Sequence, residues 1–340
     1  MYLERWLAVR QVDENTRRTY ASHLRAHLVP HLGQVALDRL RPEHIRTMFA
    51  AIDAANERIR AGRRSTSPAV RESVRGRRVT GPATCQRIRA VLRAALNDAV
   101  ADGLIRTNPA ALVKLRPARA ARPLVWTDPR VDRWRDTGEV PGPVMVWTPE
   151  QTGAFLDHAA VHDPDLYPLF HLIAYRGLRR GEAVGLRDAD TQLDRAEIAI
   201  TQQITAAGRV IQRKPPKSEA GNRTVAVDGA TVAVLRAHRA RRRPNDDGLF
   251  FVRPDGQAWH PDGVSRRFRR LVADAGLPPV RLHGLRHGTA TLALAAGVDL
   301  KVCPGHPRPL HPHPDREHVH KCAATARAGR NGGSRRDRSA

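Results

Sequence analysis

Apolar residues recur at helical spacing through most of this chain. Ile45, Phe49 and Ile52 stand three and four apart behind Arg41-Pro42-Glu43, where proline suits the first turn of a helix. Ile88, Val91, Leu92, Ala95, Leu96 and Ala99 form a second stripe, and Gly103 lies just past its end. Asn15-Thr16 reads as an N-cap before a helix carrying Tyr20 and Leu24, with Pro30 as its stop. The stretch from Arg58 to Thr80 is rich in Arg, Ser and Gly and reads as a mobile loop. Asn108-Pro109 opens a turn. Residues 1–118 thus read as one helical domain.

The pattern then breaks. Residues 119–147 repeat Pro, Arg and Trp with little periodicity and read as an interdomain linker. A second domain, 148–302, opens at Thr148-Pro149-Glu150-Gln151, an N-cap followed by Pro and Glu in the first turn. Leu166 to Ala174 is an apolar helix. Leu193 to Ile200 and Gly208 to Val227 read as short strands joined by turns, and Phe250 and Phe251 sit in another. Arg266 to Ala275 and His283 to Ala296 return to helical spacing. The fold class is mainly α with a small antiparallel sheet (α+β). At Cys303 the character changes again. Residues 303–340 hold five Pro, five His and two large aliphatic residues, from which no element can be built, so this tail reads as disordered.

Charge narrows the function. Lys and Arg number 58 against 34 acidic residues, a formal net charge of +24 in 340 residues. Such an excess points to a polyanion, with nucleic acid ahead of an anionic membrane surface. Part of it is arginine in an Ala/Arg/Pro-rich chain, a bias that genomic base composition alone can produce. There is no run of about 18 apolar residues, and MYLERWLAVRQ has no apolar core of a signal peptide. Cys85, Cys303 and Cys322 are too far apart for a disulfide framework or a zinc site, so a reducing, cytoplasmic setting is expected.

Four basic side chains of the second domain stand in notable surroundings. Arg179 lies in Gly177-Leu178-Arg179-Arg180-Gly181-Glu182. Lys217 lies in Pro216-Lys217-Ser218, ahead of Gly221-Asn222-Arg223-Thr224-Val225. His283 and Arg286 lie in Leu282-His283-Gly284-Leu285-Arg286-His287, three apart on one helical face. Singly, each has an ordinary reading. Arg179 could meet carbonyls at a helix end, Lys217 could be a solvated hairpin lysine beside Lys214, and His283 with Arg286 could be a surface pair.

Together and in order, GLRRGE, PKS before RTV, and HGLRHGTATLALAAGVDLKV resemble the boxes of the tyrosine recombinase (phage integrase) family. NTRRTYASHLRAHLVPHLG and LDRLRPEHI resemble that family's helical, SAM-like core-binding domain. LVWTDPRVDRWRDTGEVPGPVMVWTPEQTGAFLD resembles the interdomain region of actinobacterial-type integrases. The resemblance covers residues 1 to 302. It implies a site-specific DNA recombinase of a phage or mobile element, bacterial, cytoplasmic and nucleoid-associated. Its partner would be double-stranded attachment-site DNA, on which the intact family assembles as a homo-tetramer. Arg179 and Arg286 would hold the scissile phosphate, Lys217 would protonate the leaving 5′-hydroxyl, and His283 would be the acid/base partner near the nucleophile. A tyrosine would attack to give a 3′-phosphotyrosine. No metal or other cofactor is implied. Glu182 reads as structural, orienting Arg179, and His287 as packing. Arg176 stands where relatives carry a small Thr or Ser; the extra cation either perturbs the pocket or binds DNA.

The nucleophile is missing. The resemblance places it downstream of Arg286, behind a Leu-Gly-His box, yet the tyrosines are Tyr2, Tyr20, Tyr167 and Tyr175. Tyr175 reads as core packing, and Pro304-Gly305-His306 mimics the histidine box too early and between prolines. The chain also starts abruptly inside the core-binding pattern, so an arm-binding domain is either lacking or lost by truncation.

Written as degenerate codons and read from the second base, the residues from Val302 permit VQDTLGHSTLTRTANTYTSVLPQLARAA. That string carries an LGHS box and a TYTSV nucleophile segment, with its tyrosine codon straddling Val319 and His320. The expectation is a reading-frame change near Val302 or Cys303 and hence a recombinase inactive as written; the alternative is a non-catalytic DNA-binding protein that occupies recombination sites without cutting them. Sequencing the gene across codons 300 to 340 should reveal the tyrosine segment in the shifted frame; its absence there would end the idea.

Overall fold

A computed structural model of the chain describes residues 2–118, 121–216, 221–243 and 247–295, with the backbone alone for 290–295. Lys217, part of the interdomain stretch at 119–120 and the tail at 303–340 therefore lie outside the described residues. The chain divides into two compact units at Ala120.

The first unit is helical. Helices α1 (Tyr2–Val9), α2 (Glu14–His23), α3 (Val29–Leu32), α4 (Pro42–Arg64), α5 (Pro68–Ser73) and α6 (Pro82–Ala101) enclose Leu28, Ile45, Met48, Ile88, Leu92 and Leu96. The apolar stripes of α4 and α6 face this core throughout, since Phe49, Ile52, Val91 and Ala95 are buried with them. Tyr2 Oη donates to the Ala95 carbonyl at 2.8 Å and Trp6 Nε1 to Asp98 at 2.7 Å, tying α1 to α6.

Three local readings are corrected here. Pro30 does not stop the helix. The preceding residues, Leu24–Leu28, wind into one wider π-helical turn in which the Val29 N–H bonds the Leu24 carbonyl. Pro30 then falls in the first turn of α3, where its missing N–H costs nothing. The cap of α2 is Asp13 rather than Asn15, its side chain accepting from the Asn15 N–H at 2.9 Å. Nor is Arg58–Thr80 a loop. Helix α4 runs through it to Arg64, and α5 follows. Long-range contacts hold this stretch. Asn56 donates to the Thr80 carbonyl at 2.9 Å and accepts from the Thr80 N–H at 2.7 Å, and Val74 packs onto Gly62.

The second unit begins inside the stretch expected as a linker. Strands β1 (Leu124–Val125) and β2 (Met145–Val146) pair in parallel across α7 (Asp128–Thr137). Trp126 is fully buried, and its Nε1 donates to the Pro279 carbonyl at 3.1 Å. Burial of the tryptophans outweighs the absence of periodicity. Helices α8 (Pro149–His162), α9 (Tyr167–Arg176), α11 (Gly229–Arg241), α12 (Pro261–Asp274) and α13 (Leu282–Ala295) form the helical body. Thr148 and Gln151 make the expected capping box at the start of α8. Phe155, Phe170 and Phe268 meet edge to face at 4.9 to 5.6 Å at its centre, beside Trp147.

A three-stranded antiparallel sheet orders β3 (Thr191–Gln192), β4 (Glu197–Ile200) and β7 (Arg223–Ala226). A separate hairpin joins β5 (Gln203–Ala207) to β6 (Val210–Lys214). Phe250 and Phe251 are fully buried but lie in no strand; they sit between two isolated bridges, Arg187 to Leu249 and Val252 to Ala258. Among the described residues no helix is long and apolar enough to cross a membrane.

Two buried histidines tie α11 into this unit. His171 Nε2 lies 3.1 Å from Thr231 Oγ1, and His238 Nε2 donates to the Phe250 carbonyl at 3.3 Å. In each the Nδ1 is buried without a hydrogen-bond partner among the described residues. Burial drives both pKa values from the usual 6.5 down to about 4. Both are therefore neutral when folded and take up a proton on unfolding below pH 6.5. Stability should fall as pH drops from about 6.5 to about 4 and level off below. The His238→Gln variant, which keeps a donor for Phe250, should show a shallower decline in urea midpoint over that range; an unchanged slope would refute this assignment.

Candidate active site

The first arginine box is positioned by two turns of backbone. Gly177 ends α9 in the left-handed region (φ +61°), a conformation glycine adopts without strain. The chain then re-enters a short helix, α10 (Arg180–Val184), with Arg179 at its N-cap. Glu182 closes this cap. Its carboxylate accepts the Arg179 backbone N–H at 2.8 Å and Arg179 Nη1 at 2.6 Å. The glycines of this box have a packing reason. A Cβ on Gly181 would fall 2.7 Å from the Ile204 carbonyl oxygen, and one on Gly185 would fall 2.8 Å from the Ile204 nitrogen. Only hydrogen lets α10 rest on β5.

The second box arrives on α13. Gly284 brings that helix against β2, since a Cβ there would sit 2.7 Å from the Met145 carbonyl oxygen. Thr289 Oγ1 donates to the Ala174 carbonyl at 2.9 Å, docking α13 on the end of α9. Arg286 donates to the Gly177 carbonyl. This contact delivers Arg286 to the turn that carries Arg179. His283 lies one turn back on α13, its ring edge-on to His287 at 4.5 Å.

The convergence bears on the charges. Burial pushes the His283 pKa below its ordinary value, and His287, Arg286, Arg179 and Arg180 push it further. Burial also lowers Arg286, with Arg179 and Arg223 adding to the effect and Glu182 opposing it. For Glu182, burial raises the pKa. Hydrogen bonds from Arg223 and Arg179 outweigh that and hold the carboxyl below its usual range. Arg179 is half exposed while Glu182 is 2% exposed, so the arginine rests one terminal nitrogen on a buried anion while half of its side chain stays open to solvent.

Arg179, His283 and Arg286 are thus brought together, and Lys217 lies outside the described residues. Arg176 pairs with Asp228, whose carboxylate also caps α11 through the Thr231 N–H at 2.7 Å, so its charge is met there. Tyr175 is not the core residue expected: it is exposed, and its ring lies 4.7 Å from that of His171, one turn back on α9. Arg223 was not recognised from sequence as part of this cluster. Its signal was an arginine inside a strand pattern, where a buried guanidinium must have an anion. No group of three His, Cys, Asp or Glu side chains able to hold a metal occurs among the described residues.

A site of clustered arginines and histidine on this fold has counterparts. The model of the Phage integrase family matches residues 146–304, and that of the phage integrase N-terminal SAM-like domain matches residues 1–50. The chain belongs to the phage integrase, or tyrosine recombinase, family. Both boxes of the candidate site fall within the first match. The integrase of Mycobacterium phage FRAT1 is 26% identical over 91% of this chain and 80% of its own length. The putative prophage phiRv2 integrase of Mycobacterium tuberculosis is 25% identical over 88% of this chain and 68% of its own. Among solved structures, the Tn1549 transposon integrase in complex with a circular intermediate DNA aligns over 98% of this chain and 100% of that one. Its TM-score is 0.64 at 19% identity. A lambda integrase tetramer bound to a Holliday junction aligns over 92% and 78%, with a TM-score of 0.59 at 17% identity. These likenesses establish the integrase fold.

The buried carboxylate of this integrase site carries a stability prediction. Glu182→Gln leaves one acceptor oxygen for three donor groups and sets an amide N–H against a guanidinium. It should cost roughly 3–5 kcal/mol, as for one partner removed from a buried ion pair. Urea unfolding at pH 7 measures it; a loss within experimental error would show that Glu182 is not the anchor of this cluster.

Proposed function

We propose that this integrase binds duplex DNA at recombination sites and that Arg179 and Arg286 engage the scissile phosphate there. The observation that carries this reading is the convergence of those two guanidiniums and His283 on one surface, although they come from separate parts of the chain. Two forks of N–H donors suit the non-bridging oxygens of a phosphodiester, whose charge rises as a nucleophile adds. The net charge of +24 supplies the long-range attraction. Lys217 is assigned to protonating the leaving 5′-hydroxyl and His283 to acid/base work at the nucleophile, by the resemblance of their boxes.

Strand exchange by the intact family proceeds through a 3′-phosphotyrosine. With no tyrosine beyond Tyr175 in this sequence, this chain is assigned to binding rather than cutting. Arginines cannot attack phosphorus themselves, so the site as written would hold a phosphate without breaking it. The solved integrase complexes with DNA and with a Holliday junction favour assembly of several copies on DNA.

End-labelled duplex carrying the junctions that flank the gene tests both halves. Binding should weaken steeply with salt, log K falling linearly with log salt concentration, because phosphate contacts dominate. Denaturing gels should show no covalent protein–DNA adduct. Salt-insensitive binding would sink the whole scheme; an adduct would restore the active recombinase and refute the loss of cutting.

A further inference from the structure

Arg223 occupies the first position of β7, in register with Ile200 of β4. Its side chain is only 14% exposed, and its guanidinium spreads over three acceptors. Nη2 donates to Glu182 Oε2 at 2.9 Å and Nη1 to Glu182 Oε1 at 3.2 Å. Nη1 also donates to the Gly221 carbonyl at 3.3 Å. Gly221 is itself pressed against Pro216, whose Cβ would lie 2.6 Å from a Cβ placed there. Arg223 therefore holds a glycine that packs closely on Pro216.

The same carboxylate holds Arg179 by its backbone N–H and by Nη1. Gly221, Arg223, Glu182 and Arg179 form one unbroken series of polar contacts. Sharing matters here. A carboxylate accepts a bidentate fork readily, and an unshared Glu182 could take the whole fork of Arg179. With Arg223 on both oxygens, Arg179 gives up one terminal nitrogen. Its other donors stay on the half-exposed face.

We propose that Arg223 is a positioning residue: it occupies Glu182 so that Arg179 keeps most of its fork for a phosphate shared with Arg286. This rests on the reading of Arg179 and Arg286 as a phosphate pair. A lysine at 223 would supply the charge but could not reach three acceptors from one rigid plane.

The test uses the full chain with inorganic phosphate as the probe, read at pH 7 from the ring-proton NMR signal of His283. Circular dichroism melting is recorded in parallel. The wild-type chain should titrate saturably. Arg223→Met and Arg223→Lys should each weaken phosphate roughly tenfold or more, the order expected when a charge-assisted hydrogen bond is lost. Combining Arg223→Met with Glu182→Gln should add little to the larger single loss, since both break one network. Full recovery with Arg223→Lys would make Arg223 a source of charge only and overturn the proposal. An unchanged phosphate affinity beside a lowered melting temperature would make it purely structural, which also overturns it. If Arg223→Met does not fold, Arg223→Lys decides. A wild-type His283 signal that ignores phosphate, or binding indifferent to Arg179→Gln and Arg286→Gln, would instead remove the phosphate-pair reading beneath it.

Discussion

Burying a carboxylate is costly, and Glu182 is almost wholly out of water. The desolvation penalty of one ion amounts to several kcal/mol and is offset only when geometry and hydrogen bonding are nearly complete. Here two guanidiniums and a backbone N–H supply that completeness. Each comes from a different constraint: the N-cap of α10, the side chain of the same residue, and the edge of β7. The carboxylate can stay charged only if all three are in place. The turn after α9, the short helix and the strand are therefore fixed together, and Arg179 inherits a defined position from that requirement.

Arg286 is placed by a second, independent device. Its donor meets a carbonyl that a left-handed glycine turns outward, and Thr289 ties the same helix to the end of α9. One of the contacts that place this arginine is therefore to backbone. Among the described residues the cluster sets the buried Glu182 carboxylate near several positive charges. That imbalance is reflected in the depressed pKa values of His283 and Arg286, where burial and neighbouring cations act in the same sense.

Much of this was legible beforehand where one stretch of chain decides the outcome. The stripe from Ile88 to Ala99 and the Thr148–Gln151 box depend on neighbours within a turn or two, and both formed as read. The motif boxes identified Arg179, His283 and Arg286, which the fold unites. The misses share a cause. Asn56 with Thr80, Gly62 with Val74, and Trp126 with Pro279 are contacts between distant residues, and they turned an expected loop and linker into packed structure. Pro30 was misread because a single wider turn absorbs it. Arg223 was passed over because a strand pattern shows alternation but not which acid a buried base will find.

Gly181, Gly185 and Gly284 each face a peptide group at a distance that admits hydrogen and nothing larger. Glycine is encoded by codons whose first two bases are both guanine, so nearly any change at either base brings in a side chain. These three codons act as a recorder. Copies of this gene still under selection for a folded product should hold them intact. Copies that have become passengers in their genome should lose them at the pace of silent sites.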